Sequence, residues 1–158
     1  MAQTKSNASK SPYSKKGNII GLQQGKLPPQ AVELEEAVLG ALMIDKNALN
    51  EVIDILEGEC FYKDAHQEIY KAIKTLFTES QPIDMLTVST LLRKNGKLEI
   101  CGGDFGIANL TQKVASSAHI EYHARIIVQK HIQRSLIRVS SEIIQDAYDE
   151  SSDVLDLL

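Results

Sequence analysis

From about Ser117 to Tyr148 the chain runs for about 30 residues without a proline or a glycine, and no other feature restricts the fold as much. With no breaker, this stretch is expected to form one helix of about 45 Å, at 1.5 Å per residue. Few single globular domains need an element that long. Ser116 and Ser117 are placed to cap its start. Apolar residues recur along it in two stripes. Ile120, Ala124, Ile127, Ile137 and Ile144 form the first, while Tyr122, Ile126, Ile132, Leu136, Val139, Ile143 and Ala147 form the second. The two are offset by about 100°, because adjacent helical residues differ by that angle. Together they span a wider arc than one packing partner covers. The helix is therefore expected to touch two things, elements of its own chain and another protein.

The 158 residues are 43% hydrophobic, enough for one real core or a core with an appendage. Aromatic content is only 5% with no tryptophan, which argues against an aromatic cage or a base-stacking platform. Charge is unevenly placed. Residues 1–26 hold five lysines (Lys5, Lys10, Lys15, Lys16, Lys26) and no acid, leaving 12 basic and 21 acidic residues, a net of −9, for the remainder. A body that acidic is a poor partner for a phosphate backbone. The tail itself is expected to be mobile, with at most weak electrostatic contacts. Cys60 and Cys101 show no paired or metal-ligand spacing, so both are expected to be reduced thiols. No apolar run approaches the roughly 18 residues that would span a bilayer, and the N-terminus lacks a signal-peptide core. The expectation is a soluble cytoplasmic protein with no membrane partner.

Order is expected to begin at Leu27-Pro28-Pro29, an extended approach. From Gln30 the spacing of Ala31, Leu34, Val38, Ala41 and Leu42 predicts a helix, with Glu33, Glu35 and Glu36 as solvated charges near its positive end. After Asp45-Lys46-Asn47 a second helix carries Leu49, Val52, Ile53 and Leu56 and stops at Gly58. Phe61-Tyr62-Lys63-Asp64 reads as an aromatic lead-in and N-cap to a third, whose buried face is His66, Ile69, Tyr70, Ile73, Leu76 and Phe77. His66 there reads as a hydrogen-bonded core histidine. A fourth helix starts at an Asp84 cap, turns Met85, Val88, Leu91 and Leu92 inward and ends at Asn95-Gly96. Leu98 to Cys101 is expected to be a short extended piece. Gly102-Gly103-Asp104 opens a fifth helix with Phe105, Ile107, Ala108 and Leu110. No strand alternation of useful length occurs, so the fold class is all-α: a globule of five to six helices, then the long helix. Past a turn at residues 149–152, Asp153 to Leu158 reads as the start of a hairpin mate, which makes the chain a fragment. The domain reading is a basic tail at 1–26, a helical globule at 27–114 and a helical hairpin at 115–158.

Catalytic patterns are missing. There is no GxxxxGK[ST], HExxH or GxSxG, and the glycine pair lacks what a phosphate or dinucleotide loop requires. His119 and His123 at i, i+4, with His131 further on, have a zinc-compatible spacing but no evident third ligand, so no metal site is assigned. No catalytic or cofactor-binding residue is assigned either.

Taken in order, several segments resemble the N-terminal domain of the bacterial replicative DNA helicase, the DnaB family. They are Pro28-Pro29 through Glu33, Glu35 and Val38-Leu39-Gly40; Phe61-Tyr62 with His66 and Ile69; Pro82-Ile83-Asp84 and Thr87; Gly102-Gly103; and Ile120, Ala124, Ile126, Arg134, Ile137 and Ile143. The match covers about residues 27 to 158. Gly106, Ala115, His119 and His123 depart from the family's usual Tyr, Pro, Asn and Tyr. The resemblance implies a small globule and a hairpin that pairs between subunits. Six subunits would then form a trimer of dimers, a collar over a hexameric ring. It further implies docking of primase and of a helicase loader, and an ATP- and Mg2+-dependent motor domain outside this chain that would be the enzyme and handle DNA. This chain itself would need no cofactor. The expected oligomer and partner interface is Ile120, Ile126, Ile127, Leu136, Ile137, Val139, Ile143 and Ile144, with Ile137 and Ile143 the positions that the resemblance ties to primase coupling. Two other readings make different predictions. A helical DNA-binding or regulatory module would bind DNA in a salt-sensitive way through residues 1–26. A free-standing enzyme would hydrolyse ATP.

Overall fold

The structure, a computed structural model, describes residues 25–114 and 119–149. Six α-helices follow in order: α1 (Val32–Ile44), α2 (Ala48–Val52), α3 (Asp64–Thr78), α4 (Met85–Lys94), α5 (Gly103–Gln112) and α6 (Ile120–Tyr148), with 3-10 turns at Gly58–Cys60 and Glu99–Cys101. Among the described residues there is no strand, and the all-helical expectation holds. The expectations for residues 1–24, the Ser116-Ser117 cap and the hairpin mate after residue 149 lie outside the described residues.

The globule is built around α1. Six consecutive residues from Val38 to Met43 are buried, so the C-terminal half of this helix is enclosed on every side rather than amphipathic, with α2, α3, α5 and α6 as neighbours of the helix. Gly40 lets α5 approach: a Cβ there would stand 2.2 Å from the Leu110 carbonyl oxygen and 2.4 Å from Val114 Cγ2. Because the obstacle is backbone, Gly40→Ala must push the helices apart. It should cost about 2 kcal/mol or more in chemical denaturation, although alanine favours helices. An unchanged midpoint would show that the close approach is not needed.

Helix α3 buries His66, Ile69, Tyr70, Ala72, Ile73 and Leu76. Tyr70 donates its hydroxyl to the Leu56 carbonyl at 2.9 Å and packs its ring 5.1 Å from that of Phe61. Burial pushes the Tyr70 phenol well above its usual range. Phe77, predicted to be inside, is exposed, because it follows Leu76 by about 100° of turn. Asp64 is not the cap; it is the first helical residue, and its charge favours the helix start through the dipole. The cap at Asp84 is as predicted. Its Oδ1 accepts from the amides of Leu86 (2.8 Å) and Thr87 (2.9 Å), while Thr87 Oγ1 accepts from the Asp84 amide at 3.0 Å. At the other end of α4, Gly96 has φ of +68°, and the Lys97 amide reaches back to the Leu92 carbonyl at 2.8 Å, closing the helix.

Two further expectations need correction. The second helix is only Ala48–Val52, after which Leu56 is buried from an irregular segment; Leu98 to Cys101 contains a 3-10 turn, not an extended piece. In both, the apolar side chain reaches the core without the regular backbone that its spacing implied. Phe105, on the first turn of α5, is 83% exposed, while Ile107 and Leu110 on the same helix are buried. Cys60 and Cys101 are both buried free thiols. Burial raises the Cys60 thiol and pushes that of Cys101 up to about 11, so both stay protonated and inert at neutral pH.

Candidate assembly surface

The long helix changes its chemistry halfway along. One line on its surface, at spacings of three and four, runs Ile120, Ala124, Ile127, His131, Arg134, Arg138, Glu142 and Gln145. Its first three members are buried against the globule. Past Val128, no apolar side chain of α6 packs on the core. The line turns polar at that point, and Arg138 and Glu142 on it pair with each other at 2.8 Å. Ile120 and Ile127, expected at an interface, are thus core residues, only 2% and 1% exposed, with no surface left for a partner.

Arg134 makes polar contacts between α6 and the globule about one and a half turns beyond Val128. Its guanidinium donates from Nη1 to the Pro29 carbonyl and from Nη2 to the Cys60 carbonyl, both at 2.8 Å, and lies 5.5 Å from the centre of the Tyr62 ring. From Ser135 to Tyr148 the helix projects for about 20 Å. From Ile132 on, apolar residues appear on two other faces, each about 120° from the core-facing line. Ile132, Leu136, Val139 and Ile143 make one, Ile137, Ile144 and Tyr148 the other, and all seven are exposed. The four-three-four spacing of the first face is that of a coiled-coil seam. Leu136 and Ile143 are 62% and 61% exposed, and so many large apolar groups in one place mark an interaction site. Ile126, nearer the globule, is half-buried. The expected set therefore divides: Ile120 and Ile127 go to the fold, while Leu136, Ile137, Val139, Ile143 and Ile144 are presented together. Ile132 and Tyr148 belong with them. The polar continuation of the core-facing line was the available signal for the split.

One buried polar constellation was not anticipated. Glu35, read as solvated, is 1% exposed. Its Oε1 accepts from the Tyr62 amide and its Oε2 bonds with His66 Nδ1, both at 2.7 Å. His66 is the hydrogen-bonded core histidine that the spacing predicted. The pair is sealed inside and ties α1 to the start of α3. Two surface depressions lie along α3 and between α3 and α4, and neither is lined by Glu35 or His66. Among the described residues no three metal-capable side chains converge, and no helix is long and apolar enough to cross a membrane.

The described fold is a helical globule with one oversized, half-docked helix whose outer part exposes large apolar side chains. The chain belongs to the DnaB-like helicase N-terminal domain family, whose model matches residues 27–129. It is 46% identical over 136 residues to the replicative DNA helicase DnaB of Rhodothermus marinus, a match covering 86% of this chain and 14% of that protein. It is 39% identical over 140 residues to the replicative DNA helicase DnaC of Bacillus subtilis (strain 168), covering 89% of this chain and 31% of the relative. The chain thus spans less than a third of either protein. Among solved structures it resembles the N-terminal domain of DnaB helicase from Mycobacterium tuberculosis, with a TM-score of 0.79, 32% identity and coverage of 83% of this chain and 92% of that one. It also resembles a DnaB-like replicative helicase described with its interactions with primase, at a TM-score of 0.64 and 25% identity over 73% of this chain and 27% of that one.

Proposed function

We propose that this chain is the assembly and partner-docking collar of a hexameric replicative DNA helicase acting in the cytoplasm during chromosome replication. The observation that carries this reading is the exposed apolar outer half of α6, which has no use within the described fold. A helical segment of about 14 residues whose apolar side chains stay exposed among the described residues is marginal alone, so a clasping partner stabilises it as well as being bound by it. The first partner is a second copy, through Leu136, Ile137, Val139, Ile143 and Ile144, within a trimer of dimers. Primase is the second, docked on surface left after pairing, and a helicase loader is a further candidate. The similarity to a helicase described with primase supports the primase assignment. ATP, Mg2+ and DNA belong to a motor domain outside the 158 residues. Residues 1–26, 27–114 and 115–158 would then serve as tail, globule and pairing hairpin.

Light scattering, with and without the C-terminal domain of the cognate primase, tests this reading. The expected result is a mass that rises to a dimer or beyond with concentration and rises again when the primase domain is added. A strict monomer at high concentration that ignores primase overturns it.

A further inference from the structure

The outer half of α6 is useful for assembly only if it leaves the globule in a set direction, and the apolar docking stops early. Ile120, Ala124 and Ile127 anchor about 10 Å of helix, and Val128 is the last apolar side chain packed on the core. Left there, an arm of about 30 Å to Tyr148 would swing on an anchor a third its length. Arg134 doubles the anchor. It reaches two carbonyls from separate segments, Pro29 ahead of α1 and Cys60 in the 3-10 turn before α3, at 2.8 Å each, with Tyr62 beneath it at 5.5 Å. A planar fork on two fixed acceptors restricts rotation about the helix axis as well as tilt, which a single ammonium cannot do.

We propose that Arg134 is a positioning residue that sets the angle between the globule and the projecting half of α6, and so the geometry of whatever pairs there. The inference adds a role to the collar reading of that half, yet its test is read within one chain. Spin labels on Thr90→Cys in α4 and Ser140→Cys in the projecting half, both exposed positions, report the angle as a distance. The native thiols are buried and do not compete for label. Labelled chain is diluted in unlabelled chain so that distances between copies do not enter.

With Arg134 in place, double electron–electron resonance should give one narrow distance distribution. Arg134→Ala should broaden it at least twofold, with the globule's thermal unfolding still cooperative. Arg134→Lys, which keeps the charge but not the fork, should broaden it nearly as much. A narrow distribution in Arg134→Lys overturns the proposal, and so does a narrow one in folded Arg134→Ala. If Arg134→Ala does not fold, Arg134→Lys decides. Failure of both to fold overturns it as well, since Arg134 would then hold the globule together instead of aiming the arm. If the chain proves monomeric but the broadening occurs, the collar reading fails and the positioning role stands.

Discussion

Glu35→Ala should destabilise the domain by about 3 kcal/mol, read from urea denaturation by circular dichroism. The carboxylate is 1% exposed and serves two groups, the Tyr62 amide and His66 Nδ1, each at 2.7 Å. Alanine removes both partners at once and leaves an amide and an imidazole nitrogen with nothing to bond, besides a cavity where the side chain stood. Glu35→Gln keeps the shape and one acceptor. Its amide can donate to an unprotonated His66 Nδ1, so its loss should be nearer 1 kcal/mol. Glu33→Ala, two residues away on the exposed side of the same helix, should change stability by only a few tenths. A domain has about 5 to 15 kcal/mol to lose, so a loss of about 3 kcal/mol is a large share of it. Equal midpoints for Glu35→Ala and Glu33→Ala would show that the buried pair contributes nothing net.

Ile143→Asp should weaken self-association by at least about 100-fold in sedimentation equilibrium while leaving the melting temperature of the globule within a few degrees of the parent. Ile143 is 61% exposed in the single chain, so the aspartate costs folding almost nothing. In a two-fold symmetric pair the change enters twice, each time removing a buried isoleucine side chain and placing an unpaired carboxylate against an apolar surface. A penalty of about 3 kcal/mol or more corresponds to that factor. Leu136→Asp, on the same face, should behave alike. Ile127→Asp should not: at 1% exposure it lies in the core, so its effect is loss of folding. This contrast separates an interface isoleucine from an interior one on the same helix. Association of Ile143→Asp at parental strength would remove the outer half of α6 as the pairing surface.

Much of the fold was legible because its causes are local. The Asp84 cap and Thr87 lie within one turn, as do Gly96 with its positive φ and the residues it closes, so short-range chemistry predicted both ends of α4. Where distant partners decide, local pattern misled. Glu35 looks like any acid at a helix start until Tyr62 and His66, 27 and 31 positions on, close over it. Phe77 looks like a core residue, yet the surface it would pack against lies on another side of its helix. The candidate surface divides in the same way. A long helix facing two partners was readable, but Ile127 and Ile137 fall in one apparent stripe, and the end of the globule is marked only by the line through Ile120, Ala124 and Ile127 turning polar at His131.

The order of amino acids alone established an all-helical chain and an unbroken rod with more apolar surface than one contact can cover, because both follow from interactions within a turn or two. Which isoleucines face inward, which acid lies buried and what aims the rod were settled by packing between remote segments. Burial is a property of the space that neighbouring elements enclose, and that space exists only once α1, α3 and α6 have come together.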